Sequence, residues 1–315
     1  MMFSDASFFL TELFILATNR CNLSCRHCYV SSGPSGHLGL TRDQVLGAAQ
    51  DFNALYGRQR VTLSGGEFFM RKDLVDGLGD LAALHDLFIL TNGMLLSTPL
   101  ANRIKDLPIA LRFGLDGATA STHDWMRGAG AFDRLQRGLE VLLSAGISPD
   151  RLEFFFTATP ENFSDLPEVL RKADRYGIRR LVIEPVAVHG RAAENWSKTQ
   201  AGGLDQFRQA FELIVRKATP APKSESWRSR RIKVKFTTPT IYYDGRVFPF
   251  TPSDDLDEQW GLLGNINDAR LRELLDAPSY RQKAIAKAMR HLRSAGPTAG
   301  PYRFWRGVSD ATCFA

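Results

Sequence analysis

The amino-acid sequence predicts an α/β protein in which six strand–helix units form a parallel sheet, followed by a smaller α+β segment. Two observations support this prediction. Short, strongly apolar runs alternate with amphipathic stretches over residues 12–217. After about residue 218, a Pro- and Ser-containing stretch leads into strands with an Asp-Gly turn and then a helical segment. Six units are two fewer than a (β/α)8 barrel has, so we expect a partial (β/α)6 barrel or an open sheet.

Each predicted strand is bounded by turn or cap residues, as expected for strands that are buried on both faces of a parallel sheet. The strands are ELFILAT (12–18), VTLSGG (61–66), LFILTNG (87–93), IALRFGLDG (109–117), LEFFFTAT (152–159) and RLVIEPV (180–186). Amphipathic helices are predicted at 41–56, 132–145, 164–176 and 204–217, with Thr41 as an N-cap. In such sheets the carboxyl ends of the strands carry the chemistry.

Composition limits the compartment and the partners. The chain of 315 residues is 44% hydrophobic and 23% charged, which is ordinary for a globular protein. The apolar start is interrupted by Asp5 and Glu12 and lacks a basic region and a cleavage site, so we expect a cytoplasmic protein without a signal peptide or membrane span. A net charge of +6 permits an acidic partner. The basic cluster at 228–235 has no aromatic-rich nucleic-acid module beside it, which argues against a nucleic-acid partner.

Three of the four cysteines lie in CNLSCRHCY (21–29), directly after the first predicted strand. Disulfides are not expected in a cytoplasmic chain of this size, and a redox pair of Cys25 and Cys28 would leave Cys21 unexplained. A closed zinc site needs four ligands, and His27 would be strained as the fourth. Three thiolates on one short loop suit a 4Fe–4S cluster that keeps one iron open for another ligand.

The C-x3-C-x2-C motif after the first strand of a partial barrel resembles the radical SAM superfamily. The resemblance implies one 4Fe–4S cluster held by Cys21, Cys25 and Cys28, with its fourth iron bound by the amino and carboxylate groups of S-adenosylmethionine (SAM). It implies that reduction of the cluster cleaves SAM, and that the 5′-deoxyadenosyl radical takes a hydrogen atom from a C–H bond. A reductant such as flavodoxin or ferredoxin would then be a partner.

The loops after the next strands extend this resemblance. Gly65, Gly66 and Glu67 resemble the GGE motif that binds the methionine amino group, since glycines let the backbone approach the ligand and a carboxylate pairs with an ammonium. His27 stands where the family often has an aromatic residue near the adenine, although loop packing explains it equally well. Thr91 and Asn92 belong to the TNG motif after the third strand.

TNG, LDGATASTHDWMRG (115–128) and TATPENFSDLPEVL (157–170) resemble the branch that carries SPASM or twitch extensions. This likeness implies that Asp116 and Arg127 help hold the SAM ribose and carboxylate. Gly114 stands where a serine is common. Asn162 matches a recurrent asparagine or is a helix cap, and Arg191 either reaches a carboxylate or lies on the surface.

The resemblance suggests four segments: a radical SAM partial barrel (1–218), a linker (219–230), a twitch-like extension (231–293) and a tail (294–315). No cysteine occurs between Tyr29 and Thr312, so we expect an extension without an auxiliary cluster. Cys313 is either an unremarkable tail residue or a catalytic thiol that returns a hydrogen atom to the substrate radical, as in some radical SAM epimerases.

The leading hypothesis is a radical SAM enzyme of natural-product or cofactor biosynthesis that acts on a small molecule or a peptide. Phe154 or Phe155, Glu184 and His189 lie near the expected substrate position. Epimerisation, decarboxylation, dehydration and cross-linking all remain open. The alternatives are an RNA-modifying radical SAM enzyme and a non-catalytic iron–sulfur or zinc protein.

Overall fold

The computed structural model describes residues 12–197, 239–248 and 262–276. The six predicted strands form one parallel sheet in the order β6-β5-β4-β3-β2-β1, so each strand pairs with its neighbour in the sequence. They are β1 (Glu12–Leu16), β2 (Arg60–Ser64), β3 (Asp86–Thr91), β4 (Ile109–Gly114), β5 (Leu152–Ala158) and β6 (Leu181–Pro185). Within the described residues β6 does not pair with β1, and the prediction of a partial barrel is confirmed.

Helices connect these strands. They are α1 (Arg42–Tyr56), α2 (Lys72–Asp76), α3 (Leu78–Leu84), α4 (Thr98–Ile104), α5 (Ala120–Arg127), α6 (Ala131–Ser144), α7 (Leu166–Arg175) and α8 (Ala192–Asn195). The predicted cap of α1 is confirmed: Thr41 Oγ1 accepts from Gln44 N at 3.1 Å, and Gln44 Oε1 accepts from Thr41 N at 2.8 Å. Such a capping box satisfies two amides that a helix start leaves unpaired. The predicted helix at 204–217 lies outside the described residues.

Alternate strand residues face two different environments, as the period of two in a β-strand requires. Leu13 and Ile15 belong to the large apolar core, whereas Phe14 and Leu16 belong to a separate apolar cluster with Phe248. The same alternation separates two candidate substrate residues. Phe154 is completely buried in the large core, and Phe155, the next residue along β5, is half-buried. Of these two rings, Phe155 is therefore the one that can meet a substrate.

Three short strands continue the sheet beyond β1. They are β7 (Thr240–Ile241), β8 (Arg246–Phe248) and β9 (Gly264–Asn265), and the helix α9 (Leu271–Asp276) follows. β7 pairs in parallel with β1, whereas β8 and β9 are antiparallel additions. The predicted Asp-Gly turn is confirmed between β7 and β8, where Gly245 has φ +87°.

The helix α9 is attached to the barrel by an ion pair and by apolar contacts. Arg270 Nε donates to Asp51 Oδ2 of α1 at 3.2 Å, and Leu271 and Leu275 join the large core. The predicted linker (219–230), the tail (294–315) and Cys313 lie outside the described residues, and the predicted segment boundaries remain predictions. Among the helices that the structure describes, none combines the length and the apolar character needed to cross a bilayer.

Candidate active site

Four loops meet at the carboxyl edge of the sheet, as predicted. The cysteine loop (residues 17–33) follows β1, and the SGGE, TNG and LDG motifs follow β2, β3 and β4. Glu67 N donates to Arg20 O at 2.9 Å, and Asn92 N donates to Glu67 Oε2 at 2.8 Å. The first three loops are therefore joined in the order of their strands.

The two glycines of the GGE motif make close packing with the cysteine loop possible. Gly65 has φ +134°, and a Cβ there would lie 2.3 Å from Thr18 O. A Cβ on Gly66 would lie 2.2 Å from Arg20 O. Real Cβ atoms do not approach a carbonyl oxygen so closely, so any larger residue would move the cysteine loop. These contacts explain why both positions are glycine, and the predicted approach of their backbone to the methionine end of SAM stays a prediction.

Glu67 is completely buried and joins β2 to the end of β3. Its Oε1 accepts from Phe69 N at 3.0 Å and from Thr91 Oγ1 at 2.8 Å, while Oε2 accepts from Asn92 N. Burial raises the pKa of the Glu67 carboxyl group, and these hydrogen bonds reduce the rise by favouring the charged form. Thr91 thus acts by holding Glu67.

Asn92 connects the TNG motif to the first cysteine. Its Nδ2 donates to Asn22 Oδ1 at 2.8 Å and lies 3.9 Å from Cys21 Sγ. Leu23 N also donates to Cys21 Sγ at 3.4 Å. Burial raises the pKa of the Cys21 thiol to about 11, and a cluster iron would offset this cost by binding the thiolate. Nothing in the sequence pattern pointed to Asn22, which sits between the first cysteine and a leucine.

The thiol geometry bears on the choice between zinc and a cluster. Cys21, Cys25 and Cys28 are free thiols. In the part of the chain that the structure describes, no three His, Cys, Asp or Glu side chains are arranged to hold a single metal ion. His27 Nε2 instead lies 3.5 Å from Asp116 Oδ2. This contact does not favour His27 as a fourth zinc ligand, whereas a cubane needs only one thiolate at each of three irons.

Asp116 is the centre of the loop after β4. It is completely buried, and its Oδ2 accepts from Arg127 Nε at 2.6 Å, while Oδ1 accepts from Thr157 N at 2.8 Å. Burial is the largest single influence and would raise the pKa of Asp116. The charge of Arg127, together with smaller contributions from the two neighbouring histidines and the Thr157 amide, outweighs burial, and the pKa is lowered. Burial would likewise lower the pKa of Arg127, but the Asp116 carboxylate and the nearby Cys25 and Cys21 thiols together outweigh burial, and the pKa is raised. The pair remains charged beside the cysteine loop.

Two further residues fix the position of Asp116. Asn162 is completely buried and donates through Nδ2 to Asp116 O at 3.0 Å and to Thr157 O at 2.8 Å. It stands at the N-cap position of a short 3-10 helix, as one alternative predicted, but its side chain makes no capping bond there. His123 was missed by the sequence analysis, although it follows Asp116 by seven residues. Its Nδ1 accepts from Asp116 N at 3.1 Å, and burial lowers its pKa to about 3.

The structure also shows what Arg191 contacts. Its guanidinium donates to Cys25 O and Ser32 O, both at 2.8 Å, so it lies neither at a carboxylate nor free on the surface. Glu184 and His189, at and beyond the end of β6, are half-buried. The predicted site residues lie in the loops after β1 to β4, at the end of β3 or at the end of α5. They are Cys21, Cys25, Cys28, His27, Gly65, Gly66, Glu67, Thr91, Asn92, Asp116 and Arg127.

Residues 15–190 match the radical SAM superfamily. The chain belongs to the radical SAM superfamily. This match covers the end of β1, the strands β2 to β6 and all four loops described above. The family implies an iron–sulfur cluster and SAM as cofactors.

Two known proteins are similar in sequence to part of this chain. The mycofactocin maturase MftC of Mycolicibacterium smegmatis is 31% identical over 206 residues, which are 64% of this chain and 50% of that protein. The Fe-coproporphyrin III synthase of Methanosarcina barkeri is 31% identical over 202 residues, 63% of this chain and 49% of that protein. The radical SAM chain thus spans about half the length of the curated relatives it matches.

The fold is shared with SuiB of Streptococcus suis, solved with bound S-adenosylmethionine and with its precursor peptide SuiA. These structures have TM-scores of 0.65 and 0.66 at 14% and 15% identity, and cover 87% of this chain and 67% and 66% of SuiB. At this identity the likeness shows the fold alone.

The residues of this radical SAM chain fit both implied groups. Three free thiols stand on one loop, and Arg127 places a positive charge beside them. His27 Nδ1 is buried without a hydrogen-bond partner among the described residues, and a bound group would give it one.

Proposed function

We propose that this chain reductively cleaves SAM at a single 4Fe–4S cluster bound by Cys21, Cys25 and Cys28. The resulting 5′-deoxyadenosyl radical would take a hydrogen atom from a C–H bond of a small-molecule or peptide precursor in natural-product or cofactor biosynthesis. The observation that carries this proposal is the position of the three thiols. Their loop lies at the carboxyl edge of a parallel sheet, where its backbone bonds to Glu67 N and to Met126 O, next to Arg127 at the end of α5.

Each group at this edge has a proposed role. The cluster, when bound, supplies the electron that breaks the sulfonium C–S bond. Glu67 provides a buried carboxylate, oriented by Thr91 and Asn92, for the methionine ammonium. Arg127 provides a positive charge for the SAM carboxylate, and Asp116 keeps that guanidinium oriented.

His27 provides an unpaired Nδ1 on the same loop as the cysteines. We assign this nitrogen to the adenine side of SAM, because a buried polar atom without a partner costs free energy that a ligand hydrogen bond recovers. The Gly65–Gly66 pair holds its loop against the cysteine loop, and we assign its backbone to the methionine end of SAM, as in the motif it resembles.

The number of clusters follows from the cysteine count. Beyond Cys28 the chain has one further cysteine, Cys313, and an auxiliary cluster needs several thiolates. We therefore assign residues 231–293 to a twitch-like extension without metal, in which Phe248 is buried and packs against Tyr242 at a ring-centroid distance of 5.1 Å. Phe250 and Trp260, the other aromatic residues expected there, lie outside the described residues.

The substrate class is supported by two kinds of relative. One relative is named as a maturase, the mycofactocin maturase MftC, and another is named for a small-molecule product, Fe-coproporphyrin III. Half-buried Phe155 and Glu184, on β5 and β6, can contact either kind of substrate. A cytoplasmic flavodoxin or ferredoxin would supply the electron.

The direct test is an anaerobic turnover assay. Reconstituted protein is incubated with SAM and dithionite, and 5′-deoxyadenosine and methionine are measured by chromatography. Cys25→Ala should abolish both products, because an iron loses its thiolate. Ser24→Ala, on the exposed part of the same loop, is the matched control and should retain them. If Cys25→Ala forms as much 5′-deoxyadenosine and methionine as the wild type, the assigned cluster site is refuted.

A further inference from the structure

The guanidinium of Arg191, in the segment after β6, contacts the cysteine loop. Arg191 Nη1 donates to Cys25 O and Nη2 donates to Ser32 O, both at 2.8 Å. The guanidinium thus bridges two carbonyls that lie on either side of Cys28 in the sequence. Hydrogen bonds from a charged donor are shorter and stronger than those between neutral groups.

The backbone of the same segment adds a third contact. Arg191 N donates to Cys28 O at 3.0 Å. Gly190 has φ +53°, and a Cβ there would lie 2.4 Å from Tyr29 O. Only glycine permits this approach, so the path of the chain before Arg191 is fitted to the cysteine loop.

Asn195 adds a further contact with the cysteine loop. Its Nδ2 donates to Arg26 O at 3.2 Å and to Arg191 O at 2.9 Å. The segment 190–195 therefore satisfies the carbonyls of Cys25, Arg26, Cys28 and Ser32. The loop has no helix or strand of its own here, and its internal bonds include the turn bonds from Cys28 N to Cys25 O and from Ser31 N to Cys28 O, both 3.2 Å. The bonds from residues 190–195 add to these in directing its backbone.

The charge of Arg191 also matters for a redox site. Net charge and hydrogen bonding near an iron–sulfur cluster set its reduction potential. A guanidinium beside the backbone of two cluster ligands favours the form that carries the extra electron. Removing this charge should therefore make the cluster harder to reduce.

We propose that Arg191 is a positioning residue for the iron–sulfur site. It holds the loop between Cys25 and Cys28 in the conformation that directs their thiols, and it raises the midpoint potential of the cluster. This proposal rests on the proposed function for the cluster itself. Arg191 acts through the Cys25 and Ser32 carbonyls and has no contact with the reacting atoms in this assignment.

The test compares Arg191→Met, which keeps an unbranched side chain without donors, with Arg191→Lys, which keeps the charge but not the two-pronged geometry. Arg175→Met is the matched control, because Arg175 is exposed on α7 and pairs with Glu168. Hydrogen exchange of the loop amides is measured on the full-length apo-protein. Iron content and the midpoint potential are measured on the reconstituted protein.

For Arg191→Met we expect the amides of Cys28 and Gly33 to exchange about tenfold faster or more, since bonds from a charged group are lost. We also expect a more negative midpoint potential, and Arg191→Lys should recover part of that shift. If Arg191→Met has the same exchange rates and the same midpoint potential as the wild type, the proposal is overturned. If wild-type protein takes up no 4Fe–4S cluster, the proposed function fails and the potential-setting role fails with it. The exchange rates of the apo-protein then still decide whether Arg191 holds the loop.

Discussion

The guanidinium of Arg127 occupies the space into which a side chain at position 114 would project. A Cβ built on Gly114 would lie 1.8 Å from Arg127 Nη2. The glycine at the end of β4 therefore lets Arg127 reach Asp116. Where the family often has a serine, this chain has a guanidinium in contact with the backbone.

We predict that Gly114→Ala displaces Arg127 and weakens its bond to Asp116. SAM affinity, measured by equilibrium dialysis with the reconstituted protein, should fall by about tenfold or more, the effect of losing a charge-assisted contact of about 1.5–3 kcal/mol. Gly47→Ala is the matched control, because no atom lies within 4 Å of a Cβ built on Gly47 in α1. Equal affinity in both variants would show that position 114 does not control Arg127.

Glu67→Gln separates the structural role of this residue from its proposed ligand role. Both carboxylate oxygens of Glu67 accept hydrogen bonds, from Phe69 N, Thr91 Oγ1 and Asn92 N. In the glutamine, the NH2 group replaces one of these oxygens and faces another donor, which costs about 1–3 kcal/mol of folding free energy. SAM affinity should also fall, since the negative charge is lost. Thr91→Val removes one donor and leaves the carboxylate, so it should reduce SAM affinity less. Urea unfolding and SAM titration of both variants check this order, and an unchanged SAM affinity for Glu67→Gln would remove the assigned role.

His123 should make folding stability depend on pH. Its pKa is about 3 in the folded protein and near 6.5 in the unfolded chain, so below pH 6.5 the unfolded state binds a proton that the folded state does not. Stability should therefore fall as the pH decreases from 6.5. Relative to His123→Gln, the wild type should lose about 2 kcal/mol between pH 7 and pH 5. Urea unfolding of apo-protein measures this difference, with exposed His37→Gln as control. Parallel stability curves for wild type and His123→Gln would contradict it.

Cys313 is tested by its effect on the product. If its thiol returns a hydrogen atom to the substrate radical, Cys313→Ala should still form 5′-deoxyadenosine but should stall or divert the substrate. A thiol with a pKa near about 8.5 is mostly neutral at pH 7, as a hydrogen donor must be. Deuterium incorporation from D2O into the product checks the donor. If the variant forms the same product at the same rate, Cys313 has no role in the reaction.

The sequence was sufficient to find the six parallel strands because each is a short apolar run that ends in a turn. It did not reveal the short helices α2 to α5, which have only five to eight residues. A helix of two turns offers too few positions for a clear amphipathic period. The parallel pairing of β7 with β1 was also missed, since a two-residue strand carries almost no register information.

The candidate site was predicted unevenly for similar reasons. Cys21, Cys25 and Cys28 stand together in the chain, so their spacing alone indicated the chemistry. Arg191 and Asn162 act through backbone carbonyls of residues that are far away in the sequence. Arg191 is 166 residues from Cys25, and Asn162 is 46 residues from Asp116. A local pattern cannot show which carbonyl such a donor will reach.

The central claim is that three thiolates hold one cluster with an open iron for SAM. The most direct measurement is the iron, sulfide and zinc content of anaerobically reconstituted protein, combined with electron paramagnetic resonance of the reduced protein with and without SAM. We predict about four irons and four sulfides per chain, as one 4Fe–4S cluster requires, and a spectrum that changes when SAM is added. Two clusters per chain, stoichiometric zinc in freshly isolated protein, or a spectrum that SAM leaves unchanged would contradict the account.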